Sequence, residues 1–255
     1  MNSQPSQSLL GADDAFPVRT VNPAGTSSFL LIGDHAGNAV PAYLAPFGVS
    51  DEDMVRHIAW DIGIAELGAR LATALDATFI SQRYSRLVID CNRDPAAPDA
   101  MPEISDGTTL PRNAALSDAD RATRVAAIHT PYHAAIAAEL ARRDAAGRET
   151  VVIALHSFTP SMRGVPRPWQ IGVLHGGAND SFARAVLAGL AGRGDLVVGD
   201  NEPYAMDRID YTIPQHAFAA GRRYVETEIR QDLLASDEQV AGWATLLEDV
   251  FTAAL

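Results

Sequence analysis

Three stretches of the 255-residue chain end an apolar run on polar side chains that are costly to bury: Gly33-Asp34-His35-Ala36-Gly37-Asn38, Asp90-Cys91-Asn92-Arg93-Asp94 and His156-Ser157. A histidine that closes a buried strand needs partners for its ring nitrogens. Each alone is more often a satisfied structural histidine than a ligand. Two of them on strand ends of one sheet converge on one crevice, and two imidazoles plus one carboxylate, with a position left open, make a common catalytic metal site. Asp61 is the carboxylate the pattern favours. On a helix it falls three residues after Ile58 and four before Ala65, at the edge of an apolar stripe. The competing reading is a boundary residue that reaches solvent. Asn38 offers a neutral amide oxygen three residues after His35, and Asp34 is a further alternative, turned away from where His35 points by its neighbouring position.

A late segment, Tyr224 to Arg230, alternates Val225, Thr227 and Ile229 with Glu226, Glu228 and Arg230. That is strand periodicity. Either the acidic face is solvated or one glutamate faces the crevice as a general base; periodicity leaves both open. His129 and His133 have the i, i+4 spacing of metal-binding pairs, but Pro131 lies between them and no glutamate does, which points to a helix start or a pocket wall. Cys91 follows an apolar run and reads as a buried thiol rather than a nucleophile. His175-Gly176-Gly177 reads as a pocket wall, and Asn201 to Tyr204 as a pocket loop or a plain turn.

The elements that must position these groups are short continuous apolar runs: Phe29–Ile32, Thr78–Gln82, Leu87–Asp90, Val151–Leu155, Ile171–Leu174 and Leu196–Val198. Continuous rather than alternating apolarity suits strands buried on both faces. Helical patterns lie between them. Ser50 with Asp53 caps a helix running to about Leu75, with a stripe of Val55, Ile58, Ile62, Ala65 and Ala69. Ser117 to Asp144 is an Ala-rich helix that Pro131 must kink or divide. Ser181 to Leu190 is a third, and Ser236 with Gln239 caps the last. The order implies a mixed or parallel sheet covered on both faces, with no linker long enough to separate domains. Residues 1–26, rich in Ser, Pro, Gly and Asn, read as an N-terminal segment with little structure. The Pro-rich loops from about Asp94 to Pro111 and from Thr159 to Trp169 adjoin strand ends, where open α/β sheets bind ligands.

Composition excludes several classes. Hydrophobic residues are 47%, enough for a core. The formal net charge of -12 repels phosphate backbones and anionic lipid, so neither nucleic acid nor a membrane is an expected partner. One cysteine excludes an intrachain disulfide and any two-thiolate metal site. The first ten residues carry no Lys or Arg and no long apolar stretch, so no secretory signal is expected. The expected location is cytoplasmic.

Asp90-Cys91-Asn92-Arg93 matches the Asp-x-Asn-Arg element of zinc carboxypeptidases and aspartoacylases, and His156-Ser157 and Glu228 match their late histidine ligand and catalytic glutamate. More closely, the chain resembles the N-formylglutamate amidohydrolase family. The resemblance rests on Asp34 to Asn38, Trp60 to Gly63, Tyr84 to Arg93, Leu155 to Pro160, Gly199 to Tyr204 and Val225 to Leu233, from about residue 28 to 235. It implies a single three-layer α/β/α domain over 27–255 with a mixed, mostly parallel sheet, like the zinc exopeptidases (phosphorylase/hydrolase-like), Zn2+ or another divalent metal, and hydrolysis of the N-acyl amide of an acidic amino acid by a zinc-activated water. It implies His35 and His156 as ligands and Glu228 as general base. Where exopeptidases place a glutamate three residues after the first histidine this chain has Asn38, so Asp61 is expected as third ligand. Formylglutamate deformylases of histidine breakdown carry Pro-His-Ser-Gly there; Asp34-His35-Ala36-Gly37 resembles a divergent branch. Asn92 and Arg93 would hold a substrate carboxylate, Arg86 a second carboxylate or the oxyanion, unless it is only an ion pair on a strand edge. The resemblance also points to Tyr204 and Tyr211 as substrate contacts, with Tyr211 or His216 as a transition-state donor. A zinc carboxypeptidase-like enzyme, an N-acyl-amino-acid deacylase and a binding module without the reaction are the rivals.

Overall fold

The computed structural model of the chain describes residues 8–206 and 209–255. Its centre is a seven-stranded sheet: β1 (Val18–Val21), β2 (Phe29–Gly33), β3 (Thr78–Gln82), β4 (Val151–Phe158), β5 (Ile171–Leu174), β6 (Val198–Asp200) and β7 (Tyr224–Arg230), in the order β1-β3-β2-β4-β7-β5-β6. Strands β3, β2, β4 and β7 run parallel. β1 is antiparallel to β3, and β5 and β6, parallel to each other, run antiparallel to β7. This is the single α/β domain with a mixed, mostly parallel sheet expected from the apolar runs. β1 lies within the stretch read as having little structure; its place at the edge needs only one partner. Residues 1–7 of that stretch lie outside the described residues.

Helices α1 (Ile64–Ala74), α3 (Ser181–Ala191) and α4 (Asp237–Ala254) cover one face, packing on Phe29, Leu31, Ile153, Val173, Val225 and Ile229. Helix α2 (Thr130–Ala145) and a thick irregular layer cover the other, over Leu30, Ile32, Ile80, Val152, Ala154 and Tyr224. Strands β2 and β4 thus send alternate side chains into two cores, which is why their apolar runs show no polar alternation. The Ser236 and Gln239 reciprocal cap starts α4 as expected.

Two readings need correction. The helix after Ser50 is one turn, Asp51–Met54, and the chain then leaves helical geometry until α1. Gly63, with φ of 84°, sits at the α1 N-cap in a conformation that resists side chains, and the carbonyl of Ala59 is taken by Ser85 and Arg86 rather than by a next turn. The packed face of α1 is accordingly Ile64, Leu67, Leu71 and Ala72, and Val55 is exposed. Leu87–Asp90 is fully buried but is not a strand. Its carbonyls are bound by side chains instead of a ladder: Asn113 donates to Leu87 O, and buried Arg124 donates to Val88 O. The region around Pro131 divides as expected, into Asp118–Arg124, a wide turn Val125–His129 and α2.

Candidate metal and catalytic centre

His35 lies two residues past the end of β2 and His156 lies on β4, so adjacent parallel strands deliver both imidazoles to one end of the sheet. Their ring centroids are 5.1 Å apart. Asp61 reaches them from the loop between Met54 and α1, anchored by its own N–H donating to His35 O at 2.8 Å. Asp61 Oδ2 lies 2.8 Å from His156 Nδ1 and 3.4 Å from His35 Nδ1. All three residues are buried, and one ligand atom from each falls within 4.8 Å of the others.

The far nitrogen of each ring faces its own aspartate. His35 Nε2 donates to Asp90 Oδ1 at 2.7 Å, and His156 Nε2 lies 3.3 Å from Asp34 Oδ2. A carboxylate behind each imidazole is the arrangement that fixes the tautomer of metal-ligating histidines and raises their basicity. It leaves both Nδ1 atoms directed at Asp61, and His35 Nδ1, although buried, has no hydrogen-bond partner. Arg86 meets two of the three aspartates: it bonds Asp90 Oδ2 at 2.6 and 3.0 Å and lies 3.6 Å from Asp61. With neutral imidazoles this shell carries surplus negative charge that a divalent cation would neutralise. The residues present therefore fit a cation bound by two nitrogens and one carboxylate oxygen.

Titration directions agree. Burial and Arg86 disfavour the charged His35 ring, yet Asp90 and Asp61 raise its pKa above the usual histidine value. Burial likewise opposes charge on His156, but Asp34 and Asp61 push it well above. Asp34, Asp61 and Asp90 all sit low: burial raises each, and the facing cations outweigh it.

Register then decides the question left open for β7. Glu228 pairs with His156 and Glu226 with Ala154 across β4 and β7, so both glutamates share the face that bears His156. Both are buried, both line a cavity of about 200 Å³ together with His35, Asp61 and His156, and an oxygen of each lacks a partner. Burial pushes Glu228 up to about 7, with Asp61 adding to the rise and His156, Arg86 and His35 opposing it. Burial pushes Glu226 well above the usual range.

The cavity also takes in Arg86, Asn92, Arg93 and Tyr204. Asn92 is largely committed to the backbone: its Oδ1 accepts from the N–H groups of Tyr211 and Thr212 at 3.0 and 2.9 Å. Arg93 pairs with Asp99 at 3.2 Å. Tyr204 accepts from Arg167 at 3.0 Å. Tyr211 and His216 do not line the cavity. Tyr211 packs tilted against His129 and edge-on against His133, and His216 donates to His133, which donates to Cys91 O. Burial lowers His133 to about 3 and His216 to about 4, so this neutral group braces the 90–93 loop from behind. His175 bonds Asp200 instead of walling the cavity, Asn38 donates to Met54 O, and burial raises the Cys91 thiol well above its usual value.

With this geometry in place, comparison with known families matches residues 27–235 to N-formylglutamate amidohydrolase. The chain belongs to the N-formylglutamate amidohydrolase family. Membership makes it a hydrolase and accounts for the order in which its motifs occur. Among solved structures, gene product Atu2144 from Agrobacterium tumefaciens is 37% identical, with 96% of this chain and 97% of that one covered and a TM-score of 0.92. N-formylglutamate amidohydrolase from Ralstonia eutropha JMP134 shares the fold at 21% identity and a TM-score of 0.69, covering 94% and 96%. No curated protein matches the chain. No helix among the described residues is long and apolar enough to cross a membrane.

Asp90, Asp34 and His57 take places in the site that motif reading did not assign them. Asp90 is the anchor of the centre, and the Asp-x-Asn spacing could have shown it, since Asp90 Oδ1 accepts the Asn92 N–H at 2.8 Å as in an Asx turn. Asp34 reaches the same centre through His156, with Thr212 Oγ donating to its other oxygen at 2.8 Å. His57 lines the cavity from the irregular loop, where no periodicity marks it. Asp90→Asn keeps the shape and weakens the pull on His35; zinc affinity is expected to fall roughly 10–100-fold. Competition with a chromophoric chelator measures it, and unchanged affinity would contradict the anchoring role.

Proposed function

We propose that the chain is a divalent-metal-dependent amidohydrolase that cleaves the N-acyl amide of an acidic amino acid, N-formylglutamate or a close analogue. The observation that carries this reading is the convergence of His35, Asp61 and His156 in one buried cluster, each imidazole backed by its own aspartate, beside the raised carboxyl of Glu228. His35, Asp61 and His156 would hold the cation, and their nitrogen and oxygen donors suit zinc. When bound, such an ion polarises the acyl oxygen and makes water a nucleophile near neutral pH. Glu228 accepts the proton of the attacking water and passes it to the leaving nitrogen. Arg86, fixed on Asp90, presents its guanidinium to the acyl oxygen. Arg93 and Tyr204, with the Asn92 amide nitrogen, orient the substrate carboxylate; the planar guanidinium fork suits that group. Tyr211 supports this wall from behind. Local cations are needed because a net charge of -12 opposes an acidic substrate at long range. The small-molecule substrate and the charge fit a cytoplasmic enzyme without nucleic-acid or membrane partners.

The deciding experiment is a substrate panel on zinc-reconstituted protein: N-formyl and N-acetyl amino acids, and peptides with free C-termini. Amine release from N-acylated acidic amino acids, lost with chelator and restored by zinc, is the expected result. Protein with stoichiometric zinc that releases no amine from any member would leave the binding-module reading, and release from peptide C-termini alone would favour a carboxypeptidase.

A further inference from the structure

Glu226 has no task in the reaction described above, although it is only 2% exposed and lines the catalytic cavity. Its Oε2 lacks a hydrogen-bond partner, and no ion pair among the described residues reaches its carboxyl. Burying a carboxyl in this state costs stability, and the missing contact is one that a ligand in the cavity can supply.

Position says which part of a ligand that is. Glu226 stands opposite Ala154 and Leu174, whereas Glu228 stands opposite His156 and Gly172. At about 3.3 Å per residue, Glu226 lies roughly 7 Å further down the strand than the general base. The charges that act on the two carboxyls separate them as well. Glu228 feels His156, Asp61, Arg86 and His35, the groups around the acyl carbon. Glu226 feels His156, Asp210, Glu228 and Asp34, with no arginine among them. Asp210 also lines the cavity, and its Oδ1 lies 3.4 Å from the Asn92 amide nitrogen, which helps to orient the substrate carboxylate. Glu226 is therefore on the side that takes the amino acid to be released, not the acyl group. A side chain ending in a carboxylate would meet like charge there. A side chain ending in N–H groups would meet an acceptor, because a carboxyl accepts hydrogen bonds whether or not it is ionised.

We propose that Glu226 is a specificity-determining residue that accepts hydrogen bonds from the side chain of the released amino acid, selecting an amide or ammonium end over a carboxylate. The inference rests on the amidohydrolase reading above and keeps its contacts to the α-carboxylate. N-formylglutamate becomes a slower substrate of the same site than an analogue whose side chain ends in N–H.

The test uses zinc-reconstituted protein with the N-formyl and N-acetyl derivatives of L-glutamine, L-ornithine, L-glutamate and L-norleucine. Glutamine and glutamate are isosteres, as are ornithine and norleucine, so each pair differs only in its end group. At least one N–H compound is expected to exceed its isostere in kcat/KM by about tenfold or more, the worth of one hydrogen bond to a charged group. A lead for glutamine assigns the amide and a lead for ornithine the ammonium. Glu226→Gln should lower the leading ratio about tenfold. That ratio is taken within one preparation, so any loss of folded protein cancels, and a purely structural role would leave it unmoved. Calorimetric binding of the same compounds to Glu228→Gln repeats the comparison without turnover and with Glu226 intact. Equal kcat/KM across end groups, a preference for glutamate, or a ratio that Glu226→Gln leaves unchanged overturns the specificity role and leaves the hydrolase standing. Failure to cleave or bind any of the compounds overturns the hydrolase reading and this inference with it.

Discussion

Glu228→Gln is expected to lower kcat on the best N-acyl substrate by a factor of roughly 10²–10⁴, the usual worth of a positioned general base, with zinc content unchanged. The substitution keeps shape and volume at a position enclosed between β4 and β5, where Glu228 pairs with His156 and Gly172, so the fold has no reason to change. What is lost is the ability to take a proton. Burial, which dominates, places that carboxyl at about 7 in the cation-free protein. Below this value it is protonated and cannot act as a base, so kcat/KM should fall tenfold per pH unit on the acid side. A cation bound beside it favours the carboxylate and moves that limb to lower pH. Glutamine should abolish the limb. Stability carries an independent sign. A carboxyl raised above its unfolded value stabilises the fold fully below that value and loses its contribution as pH rises through about 7. Cation-free Glu228→Gln should therefore lose less stability than the parent between pH 5 and 8 in denaturant titrations. A zinc-loaded variant with more than about a tenth of parental kcat would remove Glu228 from the chemistry.

His156→Ala is expected to weaken zinc binding by roughly a thousandfold or more, because a binding free energy of about 10–16 kcal/mol is shared among few ligands. Activity should vanish with it. The same change removes the buried group that faces both Asp34 and Asp61, at 3.3 and 2.8 Å. Stranding buried charge in this way costs about 3–5 kcal/mol, so the cation-free variant should also melt earlier. The two effects separate in one measurement. Saturating zinc raises the melting temperature of the parent protein by mass action, and it should leave His156→Ala unmoved. His156→Gln, which fills more of the volume and can still donate a hydrogen bond, should recover part of the stability and none of the zinc response. A variant whose melting shift matches the parent would place the cation elsewhere.

Much of this arrangement was readable in the chain. Strands β2, β3, β4 and β5 announce themselves because both faces of the central sheet are covered, and burial on two sides leaves a run of apolar residues whatever the neighbours are. The same signal misleads at Leu87–Asp90. Burial there is just as complete, but the hydrogen bonds come from Asn113 and Arg124, dozens of residues away, and a local pattern cannot report them. Asp61 joins the cluster by another route than the pattern suggested: it comes from a loop that ends at Gly63 rather than from a helix face.

Residue type and period determined which groups were able to act: two histidines at strand ends, a spare carboxylate and a pair of glutamates on one side of a strand. Only the tertiary structure decided that both glutamates face inward and that Asp34 and Asp90 stand behind the imidazoles. The reason is physical. Apolarity and periodicity are properties of a segment, whereas charge balance, register and enclosed volume exist only between segments that the fold has brought together.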